Sequence, residues 1–278
     1  MMPMIPDPET TIHYIRKRRC ESGGYCFYRL DEPNAGDTFY ALASLAILDA
    51  LPRDDQATCS YLHSYQQTDG SFPNVNVGHA VIRSLVLLGE RPDEDPSAWI
   101  LASLQPPAGA GRPVESSSLF EPLYQLTGLC RLLRIGISAG KRDDIQTAVL
   151  RHRHLDGGFG YPRSSLTETA HACAILAELN GSLLSAGSTD FLITCQDPAY
   201  GFLAVPGVRP PYLEHIHAGV LACSVLGYRS PALGLCEEFI RKCLRENGGY
   251  VRSVFGGLAT LENTYRALDA LVILENKK

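Results

Sequence analysis

The chain has 278 residues, with 25 basic and 30 acidic side chains and a formal net charge of -5. That balance excludes the broad basic field a nucleic-acid surface requires. No apolar run approaches the ~20 residues that span a bilayer, and the opening segment MMPMIPDPETTIHYIRKRR lacks the apolar core of a signal peptide. A cytoplasmic protein without a membrane span is expected. Nine cysteines are scattered without a CxxC pair, several on apolar helical faces (Cys130, Cys173, Cys223). They are expected to be buried free thiols in reducing surroundings.

In chain order, one unit recurs. An amphipathic segment, TIHYIRKRRC, leads through the turn GGY at 23–25 to DTFYALASLAIL, opened by Asp37 and Tyr40. QATCSYLHSYQ leads through DGSF at 69–72 to NVGHAVIRSLVLL, with Asn76 and His79 in the same places. The third copy begins with Asp93, Glu94 and Asp95 as the N-terminal charge set of a surface helix that carries Trp99. A polar loop, PPAGAGRPVESSS, replaces the glycine turn before EPLYQLTGLCRLL, with Glu121 and Tyr124. IQTAVLRHRHL and DGGF at 156–159 precede ETAHACAILAEL, with Glu168 and His171. YGF at 200–202 precedes EHIHAGVLACSVL, with Glu214 and His217. CEEFIRKCLRE and GGY at 248–250 precede ENTYRALDALVIL, with Glu262 and Tyr265.

The second segment of each copy is apolar around most of its circumference, which predicts a buried inner helix. The first segment carries one apolar stripe, which predicts an outer helix. The glycine stops one helix by adopting positive φ, and the aromatic packs back on it. Inner helices starting near 37, 76, 121, 168, 214 and 262 make six hairpins of nearly constant spacing. An open solenoid would need polar capping repeats at its ends. The first and last inner helices look like the middle ones, so the expected fold is all-α: a closed (α/α)6 toroid forming a single domain over 1–278.

The acidic residue at each inner-helix start complements the helix dipole. Ser118 with Glu121, and Ser165 with Glu168, read as capping boxes. Tyr40, Tyr124 and Tyr265 read as wall residues whose hydroxyls find neighbours. His171 and His217 are expected at equivalent depth on adjacent inner helices. With Glu168, Glu214 and His215 they would converge on one sector and hold a metal or move protons. His152 and His154 are expected near the C-terminus of an outer helix, where positive charge suits the dipole. Arg209, between prolines in PGVRPPY, is expected at a loop tip suited to ligand contact.

The glycine-aromatic turn followed by acidic-x-x-Tyr/His resembles the repeat of protein prenyltransferase β subunits and squalene/oxidosqualene cyclases, over about residues 10 to 275. The resemblance implies an isoprenoid, or a similar apolar ligand, in a central cavity, with the inner-helix N-termini favouring a diphosphate at one rim and transfer of a prenyl group. It implies a zinc held by Asp, Cys and His. Laid on this chain, that frame falls on Glu168, Ala170 and His217, with His171 or His215 as substitutes. Glu168, His171 and His217 are then the candidate catalytic residues. The family's basic diphosphate positions fall on Pro162 and Ser165, leaving Arg163 and Arg209 as candidates beside Tyr40, Tyr124 and Tyr265. The cyclases' DxDD proton donor is absent. Two other readings follow: a non-catalytic toroid that has lost the metal site, and a carbohydrate-active (α/α)6 enzyme. Trp99 on an outer helix speaks against the latter. A monomer or homodimer is expected, and the resemblance adds a helical-repeat α-type partner.

Overall fold

The structure, a computed structural model, describes residues 5–27, 31–53, 55–107, 118–180 and 186–276. Outer and inner helices alternate as the repeats require. The outer helices are α1 (Pro8–Arg16), α3 (Gln56–His63), α5 (Ser97–Ser103), α7 (Ala139–Leu150), α9 (Ala186–Thr194) and α11 (Leu233–Cys243). The inner helices are α2 (Ala35–Ile47), α4 (Val75–Leu87), α6 (Glu121–Leu133), α8 (Leu166–Asn180), α10 (Leu213–Leu226) and α12 (Leu261–Glu275). Two antiparallel hairpins were not expected. One is β1 (Gln196–Asp197) with β2 (Gly201–Phe202), and the other is β3 (Tyr250–Ser253) with β4 (Gly256–Thr260).

The chain divides by its internal contacts into two compact units, Met1–Ile100 with Ile240–Val272, and Leu101–Phe239 with Ile273–Lys278. In the first, α2 packs on α1 and α4, and α3 packs on α4. In the second, α8 packs between α6 and α10 and also touches α7. The core of each is aliphatic: Leu42, Leu45, Ile82 and Leu85 in one, Leu126, Leu129, Ile175 and Val220 in the other. All nine cysteines are free thiols, and eight of them are buried.

The glycine turn locks consecutive repeats together. Gly157 has φ 84°, and a Cβ there would strike the backbone of Gly187 at the start of α9. Gly248, with φ 85°, meets the backbone of Thr10 in α1 in the same way, so the sixth turn seats on the first outer helix. Both positions combine a left-handed backbone with contact too close for any side chain. The aromatic residue that follows is held by a buried threonine on the inner helix. The Tyr25 amide donates to Thr38 Oγ1 at 3.0 Å, the Phe159 amide to Thr169 at 2.9 Å and the Tyr250 amide to Thr264 at 3.2 Å. Each bond satisfies a backbone donor that would otherwise be buried unpaired.

Two expectations change in detail. Helix α7 ends at Leu150, so His152 and His154 lie beyond it, in the turn. There the His154 ring pairs with the Gly160 carbonyl at 3.1 Å. Ser118 and Glu121 form no capping box, because α6 starts at Glu121 and its N-cap is Phe120. Ser118 Oγ instead accepts from the Phe120 amide at 3.2 Å. Of the loop PPAGAGRPVESSS, residues 108–117 lie outside the described residues.

Candidate functional site

Helix caps give a stricter frame than the sequence pattern. Asn34 and Asn74 cap α2 and α4 by accepting the amides of Asp37 and Val77. Ser165 accepts from the Glu168 amide and Thr260 from that of Asn263. Tyr212 precedes α10, and its amide donates to Nδ1 of His215 at 3.2 Å. Counting from these caps, Asp37 and Glu168 are third helical residues, whereas Asn76, Glu214 and Glu262 are second and Glu121 is first. The acidic column is therefore not one structural position. Any place in the first turn complements the dipole, so the register slips at little cost.

The same count corrects the histidines. His217 is the fifth residue of its helix and His171 the sixth of its own, so they are not at equivalent positions. One residue turns a helical side chain by about 100°. The fifth positions are instead Phe39, His79, Ala170, His217 and Tyr265 in the first, second, fourth, fifth and sixth repeats.

In the first unit these positions form a continuous aromatic band. Phe39 lies 5.3 Å from Tyr265 and 5.6 Å from His79, both edge-on. Tyr40 stacks on Tyr265 at 5.6 Å. Phe39 is buried, while Tyr40, His79 and Tyr265 are half-buried. Burial, and secondarily the charge of Arg83, push the His79 pKa down to about 3. The band is thus aromatic and uncharged at neutral pH.

In the second unit the corresponding helices carry polar groups already engaged by the fold. Glu168 is buried, accepting from Ser165 Oγ at 3.0 Å and from the Leu119 amide at 3.3 Å. His171 stacks flat on Tyr124, with centroids 4.5 Å apart and planes 7° apart. His215 caps its own helix through Nδ1, which makes that nitrogen an acceptor. His217 and Glu214 are half-buried on α10. Arg163 is exposed. Arg209 is tied through Nε and Nη2, at 3.1 and 2.6 Å, to Oδ2 of Asp197. Asp197 is buried and also accepts from the amides of Ala199 and Tyr200. Much of the Arg209 charge is therefore neutralised at its loop.

Comparison with known families decides what this repeat is. The Prenyltransferase alpha-alpha toroid domain family matches residues 5–88 and 107–278. The chain belongs to the prenyltransferase alpha-alpha toroid family. The family fold is the toroid expected from the six hairpins. A structure of Candida albicans protein geranylgeranyltransferase-I complexed with GGPP aligns with a TM-score of 0.72 at 13% identity, covering 96% of this chain and 90% of that one. A crystal structure of a protein from Actinoplanes aligns with a TM-score of 0.57 at 14% identity, covering 96% and 98%. No curated protein matches the chain in sequence.

The toroid family's zinc frame does not fit the donors present. The thiolate position is Ala170, fully buried and without a ligating atom. Glu168 is committed to Ser165 and the Leu119 amide. No group of three His, Cys, Asp or Glu side chains able to hold a metal occurs among the described residues. Among those residues no helix is long and apolar enough to cross a membrane.

Sequence reasoning missed two classes of residue in this toroid. The buried threonines Thr38, Thr169 and Thr264 hold the turns, and their signal was a Thr four residues after each N-cap. Asp197, which holds Arg209, had no sequence signal, because a lone Asp in QDPAYGF reads as a turn residue.

Proposed function

We propose that this chain binds an isoprenoid or a similar apolar ligand on the aromatic band of its first unit. The observation that carries this reading is the band itself. Tyr265, Phe39 and His79 occupy one helical position in three repeats, with Tyr40 stacked alongside and no charge on the histidine. The half-buried rings of Tyr40, His79 and Tyr265, packed against the buried Phe39, offer apolar contact area to an unsaturated chain. Family membership supports the reading, as does the likeness to a toroid protein solved with GGPP.

Prenyl transfer is the activity this binding would serve. Within the second unit taken by itself, the candidates for stabilising a leaving diphosphate are the exposed Arg163 and Arg209, which Asp197 restrains. Proton handling would fall to His171 and His217. Glu168 would support them as a carboxylate fixed by hydrogen bonds. No step is assigned to zinc, because the donors do not fit one.

Titrating the protein with geranylgeraniol and with geranylgeranyl diphosphate tests the binding reading. Micromolar affinity is expected, and it should weaken roughly tenfold in Tyr265→Ala, the loss expected for one aromatic contact. Absence of binding by either compound would overturn the proposal. Metal content of the purified protein is expected to be far below one zinc per chain. A stoichiometric zinc lost in His217→Ala would restore the metal-dependent mechanism.

A further inference from the structure

The hairpin of β3 and β4 carries the stretch SVFGGLATL, residues 253–261, which has no charged side chain. Phe255 and Leu258 on it are 65% and 69% exposed. Among the described residues of the first unit they are the only large apolar side chains left exposed. Gly256 and Gly257 stand between them, with φ 128° and 123°. Chain neighbours aside, a Cβ on Gly256 would meet nothing within 4 Å, and one on Gly257 only the Arg252 amide nitrogen at 3.9 Å. The tip therefore projects, with open space beside its glycines. Its base is held. A Cβ on Gly249 would strike both the Tyr14 ring of α1 and Ala259 of β4, and Gly248 seats on Thr10.

The surroundings of this tip are basic. Residues 5–20, which include α1, and residues 240–260 together carry eight Lys and Arg side chains. Their only acids are Asp7, Glu9 and Glu246. The chain as a whole has the opposite balance, 25 basic against 30 acidic side chains. Lys17, Lys242 and Arg252 of the basic set are exposed. A second copy of the chain docked here would bring this basic surface against itself, and like charges oppose such a pairing. A bilayer with anionic head groups matches both features. Phe and Leu side chains enter the boundary between head groups and acyl chains, and Lys and Arg meet the head-group charges. The tip backbone would stay at head-group level, where water can still satisfy it.

We propose that the β3–β4 hairpin is a docking surface for an anionic lipid bilayer, entered by Phe255 and Leu258 and held by the basic residues around it, among them Lys17, Lys242 and Arg252. None of these residues belongs to the aromatic band, so the inference goes beyond isoprenoid binding and does not rest on it. The contact is peripheral: the hairpin lies at the surface of one leaflet and spans nothing.

The test uses the full chain and vesicles of two compositions, phosphatidylcholine alone and phosphatidylcholine with phosphatidylserine. Co-sedimentation gives the bound fraction. Binding to the phosphatidylserine vesicles is expected to exceed binding to the neutral ones and to fall as salt is raised. Phe255→Ser combined with Leu258→Ser should weaken it roughly tenfold or more. Both side chains are mostly exposed, so an unchanged thermal unfolding curve is expected and checks the fold. Lys17→Ala combined with Lys242→Ala should weaken it by roughly tenfold, on phosphatidylserine vesicles only. Phe255→Trp should still bind and should be quenched by lipids brominated in their acyl chains, whereas Trp99, the sole tryptophan of the unmodified chain, should not be. Failure of the unmodified protein to bind either vesicle would overturn the proposal. So would binding that the tip substitutions leave unchanged, or equal binding to the two compositions. Tip-dependent binding of polyglutamate without binding to vesicles would make the partner an acidic protein and overturn the lipid assignment. The isoprenoid titration reports separately, so either reading can fail without the other.

Discussion

The two compact units are built from the same hairpin but present different inner-helix surfaces. In the first, the fifth residues of three inner helices are Tyr265, Phe39 and His79, and they touch as one aromatic band. In the second, the fifth residues of α8 and α10 are Ala170 and His217, and the nearby ring contact is the Tyr124–His171 stack instead. The scaffold beneath is the same in both. Gly157 and Gly248 seat on a neighbouring outer helix, and Thr169 and Thr264 hold the turn aromatics. The turn and the threonine fix the repeat, while the first turns of the inner helices differ between the two units.

That contrast can be broken most directly at the shared scaffold. Gly157→Ala and Gly248→Ala should each cost about 3 kcal/mol or more, because both introduce a backbone clash at positive φ. Denaturant midpoints measure this, and a large loss in only one unit would mean the turns are not equivalent. Thr169→Val and Thr264→Val each leave a buried amide without its acceptor, an expected loss of about 2 kcal/mol. Similar losses by the same measurement would sharpen the claim of a common frame.

The remaining predictions address the differences. His79 gains its proton near pH 3 in the native state but near 6.5 when unfolded. Between those values the unfolded chain binds more protons, so stability should fall as pH drops from about 6.5 towards 3, by up to about 1.4 kcal/mol per pH unit. His79→Phe, which makes the second repeat match Phe39 of the first, should flatten that slope. An unchanged slope would place the titration elsewhere. The smallest effect is expected at the Tyr124–His171 stack. A double-mutant cycle with Tyr124→Leu and His171→Leu should give a coupling of about 1 kcal/mol, and zero coupling would mean the flat contact adds nothing beyond area.

The hairpins were legible because their signals are local and redundant. A glycine-aromatic turn recurs before apolar inner helices such as those of Ala41 to Leu45 and Ala170 to Leu176. The inner-helix register was less legible. An acidic side chain helps at the first, second or third helical residue alike, so Glu121, Glu214 and Glu168 align in sequence while sitting at different positions of the first turn. The cap is decided by which side chain reaches the free amides. His215 does so for Tyr212, a use of histidine that sequence spacing presents as a metal ligand.

The sequence by itself determined the repeat, its six copies, the alternation of outer and inner helices and the turns that join them. These follow from hydrophobic periodicity and glycine conformation, which act over a few residues. Only the tertiary structure decided which ring touches which, that Asp197 restrains Arg209, that Glu168 serves a neighbouring backbone amide, and that Phe39 joins Tyr265 to His79. Those outcomes depend on where helices distant in sequence meet, and a shift of one residue at a cap turns a side chain by about 100° and changes its partner.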